Sequence, residues 1–186
     1  VKELPHLLAW LKANPQQANF GVPATGSLPH FFALMLGEAA KVPVEVVGYK
    51  GSGPLLTDLM GGQIPIAVDT FDTQIAQHEA GKLRVLATSG ERRSAMAPGI
   101  PTLKEVGVNL VGTGWNTLFA PQSMAPATVQ RLSQLVQEVM KEADTQHKFA
   151  ASNLVPVVSS AQETEKMLKA YRAQWAPVVQ RSGFKP

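Results

Sequence analysis

The sequence predicts an α/β fold in which helices cover a parallel or mixed sheet. Short β-branched or apolar runs alternate with longer segments whose apolar residues recur at helical spacing, as in strand–helix–strand units. The 186 residues suffice for one sizeable core. A composition with 45% hydrophobic and only 17% charged residues is that of a folded globular chain rather than a disordered one.

The first half of the chain carries this alternation. The opening VKELPHLLAWLKANP has leucines at helical spacing, and its Asn14-Pro15 pair ends the pattern. Pro54 suits the first turn of a later helix, and the pair Gly61-Gly62 suits its exit. Strands are predicted at 19–22, 44–49, 64–68 and 83–88, and helices at 30–40, 53–62 and 71–82, the last ending at Gly81. In the helix at 30–40, the residues expected to face the core are Phe31, Leu34, Met35 and Ala39.

Beyond residue 88 the pattern changes. A polar connection with one short helix around Leu103 leads to a predicted strand at 115–121. The segment PATVQRLSQLVQEVMKEA is predicted to be an amphipathic helix, because its apolar residues recur at helical spacing. The final helix opens on Ser160-Ala161-Gln162-Glu163, a capping-box pattern, and Pro177 is expected to kink it.

Bulk properties restrict the function classes. The net charge is +3, but the 17 Lys and Arg residues are scattered, which gives little support for nucleic-acid binding. The absence of cysteine excludes disulfides and thiolate chemistry and permits either cytosol or periplasm. No run approaches the ~20 apolar residues that span a bilayer. Because the chain opens abruptly on Val1, we expect a targeting segment and a preceding region to be missing.

Three predicted strand-to-helix junctions carry small or hydroxylated residues. In open α/β sheets, ligands bind beyond the carboxyl ends of the strands, where helix N-termini point. Bare backbone N–H groups and the helix dipole favour an anion there. The sequence therefore predicts a carboxylate or phosphate site. Its junction residues are Thr25, Gly26 and Ser27, then Gly51, Ser52 and Gly53, then Asp69 and Thr70.

Each of these residues also has an ordinary structural interpretation. Ser27 fits a helix N-cap, His30 a packing histidine and Lys50 a solvated loop charge. Asp69, at the end of an apolar strand, needs a partner, which capping together with Thr70 would supply. Nucleotide-binding and G-x-S-x-G fingerprints are absent, and the four histidines lack metal-ligand spacing. A small enzyme that uses His30 with Asp69 remains an alternative.

Several motifs, taken in order, resemble one family. They are G-S-x-x-H at 26–30, Y-K-G-x-x-P at 49–54 and D-L-x-x-G-Q at 58–63. The turn Asp69-Thr70, repeated at 72–73, the segments PGIPTLKEVG and WNTLFAPQSMAP, and the Trp-containing last helix continue the likeness. Together they resemble the Bug, or TctC-type, extracytoplasmic solute receptors of tripartite tricarboxylate transporters.

The resemblance implies a type II periplasmic-binding-protein fold, in which two α/β lobes close on a small organic acid. It implies one lobe here, with the first lobe largely missing: residues 1–15 as the last helix of that lobe, 16–110 as the second lobe, and 111–186 as the return segment. No catalytic residue, cofactor or metal is implied. The ligand-binding residues carried over by motif are Thr25, Gly26, Ser27, His30, Tyr49, Lys50, Asp69 and Thr70.

The partners implied are a small carboxylate and membrane transporter subunits, in the periplasm and without nucleic acid. A segment that returns to an absent lobe exposes apolar surface, which predicts self-association. The family's usual P-Y-K-G appears here with Gly48 in the first position, which is expected to loosen the strand exit. The runner-up interpretation is the ligand-sensing domain of a bacterial transcription regulator, since such a domain shares a similar fold.

Overall fold

The structure is a computed structural model that describes residues 1–185, which form seven α-helices and three β-strands. These residues divide into two compact units. Unit 1 consists of residues 1–114 and 181–185, and unit 2 consists of Trp115–Gln180. The predicted division at residues 15 and 110 refers to a longer two-lobed protein and stays a prediction.

Unit 1 contains a parallel sheet of three strands, β1 (Asn19–Val22), β2 (Glu45–Gly48) and β3 (Ile66–Ala67), in the order β2-β1-β3. Phe20 of the central strand lies opposite Val46 on one side and Ile66 on the other. Phe20 and Val22 are almost completely buried, because the central strand of a helix-covered sheet has neighbours on both faces. The predicted α/β fold with a parallel sheet flanked by helices is confirmed.

Four helices belong to unit 1 and follow the predicted order. They are α1 (Leu4–Ala13), α2 (Leu28–Ala40), α3 (Ser52–Met60) and α4 (Phe71–Glu79). Gly61 follows α3 directly, and Gly81 lies just beyond α4 with a φ of 70°, a left-handed conformation that glycine adopts at little cost. The buried leucines of α1 are Leu4, Leu7 and Leu11.

The buried face of α2 differs from the predicted one. Phe31 is buried as expected, but Leu34 and Met35 are half-buried and Ala39 is exposed. The chain reverses after α2 through Lys41, which has a φ of 55°, and the N–H of Val42 then bonds to the carbonyl of Gly37 at 2.9 Å. This return covers the Gly37 side of the helix and so adds a second buried surface. The further buried residues of α2 are Phe32, Ala33, Leu36, Gly37 and Ala40.

The predicted strand at 83–88 and the predicted short helix around Leu103 are wrong. Residues 103–107 form turns, and Thr88 pairs with Thr102 in a single isolated parallel bridge. The N–H of Val85 bonds to Nδ1 of His78 at 3.3 Å rather than to a neighbouring strand. Segment 83–88 is therefore held by loop contacts, while buried apolar residues of the connection complete the core: Ile100, Leu103, Val108 and Leu110.

Unit 2 contains α5 (Pro126–Lys141), α6 (Ala143–Ala151) and most of α7 (Ala161–Arg181). The capping box of α7 is confirmed, since the N–H of Ser160 donates to Oε2 of Glu163 at 2.7 Å and the N–H of Glu163 donates back to Oγ of Ser160 at 3.2 Å. Tyr171 packs against Trp115 and Trp175, with ring centroids 5.3 and 5.9 Å apart. The separate helix α6 was not predicted.

Two apolar surfaces of unit 2 are exposed. Residues 115–121 were predicted to be a strand, which is wrong: they lie outside the strands formed by residues 1–185, and Leu118 and Phe119 are 79% and 73% exposed. A strand needs neighbouring backbone to bond to, so a suitable composition is insufficient. The amphipathic helix α5 forms as predicted, but its apolar face, defined by Leu132, Leu135, Val136 and Val139, is 38–47% exposed.

Across the described residues, none of the helices combines the length and the apolar character that crossing a bilayer requires.

Candidate functional site

Three helices of unit 1 begin at one edge of the sheet. Since β1 pairs in parallel with both β2 and β3, the carboxyl ends of all three strands lie at the same edge. The helices α2, α3 and α4 begin only four to six residues after these strand ends. We call this the helix-start edge. Here the positive ends of three helix dipoles share one side of the sheet, which favours an anion.

Backbone hydrogen bonds tie the first two junctions together. The N–H of Tyr49 bonds to the carbonyl of Val22 at 2.9 Å, and that of Gly51 bonds to the carbonyl of Pro23 at 2.7 Å. Gly48 lies directly against Thr25: a Cβ built on Gly48 would overlap Oγ1 of Thr25. The expectation that Gly48 loosens the strand exit is therefore wrong, because the missing side chain lets two loops approach closely.

Ser27 caps α2. Its Oγ accepts a long hydrogen bond of 3.4 Å from the N–H of His30 and donates one of 2.6 Å to the carbonyl of Ala24. These bonds fix the entry of the chain into the helix and match the N-cap interpretation of Ser27. Direct contact between this hydroxyl and a ligand stays a prediction.

His30 lies in the first turn of α2 as a neutral imidazole. Its Nδ1 accepts a hydrogen bond of 2.9 Å from the N–H of Gly26, so Nε2 carries the proton. Partial burial lowers the pKa of His30 from its ordinary value. Gly26 itself has a φ of 77°, which favours glycine at this position. The edge thus includes an imidazole with its N–H donor at Nε2.

One contact of this cluster was missed by sequence reasoning. The ring of Phe184, which follows α7, meets the His30 ring edge-on, with centroids 5.7 Å apart and an interplanar angle of 85°. Phe184 stands 154 positions beyond His30 in the sequence, within SGFKP near the end of the chain. No local pattern in that segment indicated the contact.

At the second junction, the hydroxyl of Tyr49 donates to Oδ2 of Asp58 on α3 at 3.0 Å. Burial and then this carboxylate raise the pKa of Tyr49, so the phenol stays protonated. Lys50, the next residue, is exposed in the loop that leads to α3. The structure thus joins two of the sequence motifs, because Tyr49 belongs to Y-K-G-x-x-P and Asp58 to D-L-x-x-G-Q.

At the third junction, Asp69 is bonded to its own helix. Its Oδ1 accepts from the N–H of Thr70 at 2.8 Å, and its Oδ2 accepts from Nε2 of Gln74 at 3.1 Å. Gln74 is buried, so this bond satisfies a polar side chain inside the unit. These bonds give Asp69 the partners it needs, but the N-cap residue Thr70 makes no side-chain capping bond, so the capping interpretation is not confirmed.

The alternative of an enzyme that uses His30 with Asp69 gains no geometric support. His30 is bonded to Gly26 at the first junction, whereas the carboxylate of Asp69 is bonded at the third. An activating His–Asp pair requires the carboxylate to hydrogen-bond to the imidazole, and here each group is bonded to other partners. Within residues 1–185, no cluster of three or more His, Cys, Asp or Glu side chains could hold a metal ion.

A groove of about 640 Å³ lies elsewhere in unit 1. It is lined by the start of α1, the end of α4 and parts of the segment 84–106, including Arg84 and His78. Because α4 starts at the helix-start edge and runs away from it, its end does not belong to that edge. The groove is therefore separate from the predicted site.

The family model of tripartite tricarboxylate transporter family receptors, TctC, matches residues 1–184, almost the whole chain. The chain belongs to the TctC family. This membership confirms the resemblance drawn from the motifs. It also agrees with the expectation of a solute receptor rather than an enzyme.

Relatives of this TctC chain include BugT of Bordetella pertussis, 28% identical over 186 residues. A protein encoded in the gbd 5' region of Cupriavidus necator is 31% identical over 163 residues, or 88% of this chain. Among solved structures, R. palustris Rpa4515 with adipate superposes with a TM-score of 0.93 at 27% identity and over 100% of this chain.

The TctC chain is shorter than these proteins. It spans 57% of BugT, 50% of the Cupriavidus protein and 62% of the Rpa4515 chain. BugT and Rpa4515 match the whole of this chain, and the Cupriavidus protein matches 88% of it.

Proposed function

We propose that the protein to which this chain belongs captures a small carboxylate at the helix-start edge and presents it to a membrane transporter of the tripartite tricarboxylate type. The observation that carries this proposal is the parallel order β2-β1-β3, which gathers the starts of α2, α3 and α4 at one edge. Three helix N-termini attract an anion without a dedicated arginine.

The first junction supplies the closest contacts in this proposal. Thr25, Gly26 and Ser27 present the loop before α2, and His30 offers its Nε2–H as a neutral donor to a carboxylate oxygen. A neutral donor in a partly buried position binds a carboxylate without the cost of burying a second charge.

The other predicted residues act around this junction. Lys50, exposed beside it, attracts the anion during approach. Tyr49 shapes the second loop through its bond to Asp58, and Asp69 with Thr70 fixes the start of α4. Their bonds within the protein suit a supporting role for these three residues.

The proposed ligand class is that of short dicarboxylates. The Rpa4515 structure, which is 27% identical and superposes over the whole chain, contains adipate. An adipate ion carries two carboxylates joined by an apolar chain, so one end can occupy the helix-start edge while the other makes contacts that set specificity.

Thermal unfolding and calorimetry of the complete gene product test this function. The panel is adipate, malate, acetate and glucose, of which only the first three carry a carboxylate. A carboxylate that binds should stabilise the fold by ~2.7 kcal/mol at a hundredfold excess over Kd. Stabilisation by glucose, with none by any carboxylate, would contradict the proposed ligand class.

The periplasmic location and the transporter partnership are part of the same proposal. Cell fractionation of a bacterium that expresses the complete gene with a C-terminal epitope tests the first. Uptake of labelled adipate before and after deletion of the gene tests the second. Uptake that does not depend on the gene would contradict the partnership.

Self-association of this 186-residue chain is likewise a proposal. Its support is the apolar face of α5, where four aliphatic side chains on one side of a helix are 38–47% exposed. A second copy of the same face would remove this apolar area from water and so favour a dimer.

A further inference from the structure

Phe184 packs on both rings that the first turn of α2 presents. Its centroid lies 5.7 Å from that of His30 and 5.7 Å from that of Phe31, with interplanar angles of 85° and 82°. His30 and Phe31 are themselves stacked, 5.1 Å apart at 17°. Edge-to-face pairs at these separations are a favourable geometry of aromatic rings, so the three rings form one cluster in which Phe184 contacts both His30 and Phe31.

Phe184 also covers the backbone that bonds to His30. A Cβ built on Gly26 would lie 2.5 Å from Cζ and 2.9 Å from Cε1 of Phe184, so the ring occupies the space that a side chain at this position would need. The N–H of the same glycine donates to Nδ1 of His30. Phe184 therefore contacts both the donor residue and the acceptor ring of one hydrogen bond.

This arrangement limits the states of the imidazole. Rotation of the imidazole about its χ angles would break the Gly26 bond, the edge-to-face contact with Phe184 and the stacking on Phe31. A water molecule at Nδ1 would compete with the Gly26 N–H for this acceptor, and Phe184 packs directly against Gly26. The rings that pack on His30, Phe31 and Phe184, carry no charge, so the environment favours the neutral form.

We infer that Phe184 is a positioning residue that fixes the tautomer and the orientation of His30, so that the Nε2–H faces the ligand with a fixed direction. The inference deepens the proposed function and rests on it for the ligand. The part that concerns the imidazole stands on the contacts among Gly26, His30 and Phe184 alone.

Nitrogen NMR of the histidine rings tests the inference without a ligand. In the complete gene product, His30 should show the Nε2–H tautomer. Replacing Phe184→Ala should produce a mixture of tautomers and raise the pKa of His30 toward its ordinary value, because water gains access to the ring. Phe184→Tyr keeps the ring and should retain the wild-type spectrum. A wild-type Nδ1–H tautomer would overturn the inference even if the alanine variant failed to fold.

Binding of adipate supplies the second readout. Phe184→Ala should raise the Kd for adipate about tenfold, since the donor loses its fixed direction, and Phe184→Tyr should restore it. The matched control is Phe119→Ala, which removes an exposed phenylalanine of unit 2 and should leave both readouts unchanged. Tighter binding by Phe184→Ala would show that the ring occupies ligand space, and unchanged binding would show simple packing. Either result overturns the inference.

The two readouts separate the failure of this inference from that of the proposed function. If no carboxylate binds to the wild-type protein while the tautomer and the pKa respond to Phe184→Ala as expected, the proposed function is wrong and the positioning of His30 stands. If carboxylates bind but His30 does not respond to Phe184, the receptor function stands and the inference is wrong.

Discussion

The backbone N–H of Gly26 donates a 2.9 Å hydrogen bond to Nδ1 of His30, four residues later in the chain. This bond joins the loop before α2 to the first turn of the helix. Because of this bond, Nδ1 of the imidazole is an acceptor used inside the protein, and Nε2 carries the N–H donor. In the proposed site, this Nε2–H donates to a carboxylate oxygen of the ligand.

Two substitutions at His30 separate its structural and binding roles. In His30→Asn, the side-chain oxygen can accept from Gly26 near the position of Nδ1, so the melting temperature should stay near wild type. The Nε2 donor is lost, and adipate binding should weaken about tenfold. His30→Ala loses both the acceptor for the Gly26 N–H and the Nε2 donor, so it should bind adipate weakly and also unfold at a lower temperature. Thermal unfolding and calorimetry measure the two effects, and an Asn variant that binds normally would exclude His30 from the site.

The stability of the fold should depend on pH through His30. Because burial lowers the pKa of His30 in the folded state, the unfolded chain binds the proton at a higher pH than the folded protein does. The contribution of neutral His30 to the free energy of unfolding is fully present above the ordinary histidine pKa of about 6.5. It is lost as the pH falls through the lower pKa that His30 has in the folded protein. Urea unfolding at pH 7.5 and 5.5 should show a larger loss of stability for wild type than for His30→Asn. Equal losses of stability in the two proteins would show that His30 is not the source of the pH dependence.

A methyl group at Gly48 should disturb the junction between β1 and β2. In Gly48→Ala the new Cβ overlaps Oγ1 of Thr25, and overpacking of this kind costs about 1–3 kcal/mol. In the double variant Gly48→Ala/Thr25→Ala, the Thr25 substitution removes Oγ1, the atom that overlaps the new Cβ. The double variant should therefore recover part of the lost stability. The free energy of unfolding in urea measures both.

The matched control for Gly48 is Gly53→Ala in the first turn of α3. A Cβ at Gly53 meets no atom within 4 Å, and alanine is the better helix former, so this variant should be unchanged or slightly more stable. If both alanine variants behaved alike, the close approach of Gly48 to Thr25 would not be the cause.

The apolar face of α5 should control self-association of the 186-residue chain. Leu135→Glu places a charge in the middle of that face and should shift the chain toward monomer in sedimentation velocity. Gln134→Glu adds the same charge on the polar side of the helix and should change nothing. A wild-type chain that is monomeric at high concentration would contradict the proposed dimer.

Local patterns predicted the order of the elements from α1 to α4 well, because these patterns depend on near neighbours. The leucine spacing gave α1, and Ser27 was foreseen as a cap of α2. At the other end of the chain, the capping box at 160–163 marks the start of α7 as expected. Each of these features is decided within four or five residues, the range over which helix periodicity and side-chain capping act.

The failures have a common physical cause. Residues 83–88 and 115–121 have the composition of strands, but a strand forms only where neighbouring backbone supplies partners for its N–H and C=O groups. In this structure Val85 bonds to His78, and Leu118 is exposed to solvent. Composition gives the propensity of a segment, while the pairing depends on what lies beside it.

The sequence by itself determined the alternation of strands and helices, the caps and the family, because each of these is encoded by nearby residues or by motifs in a fixed order. Only the tertiary structure decided that Gly48 lets Thr25 approach and that Phe184 holds His30. Those contacts join residues far apart in the chain, and close packing of neighbouring loops, rather than local propensity, selects them.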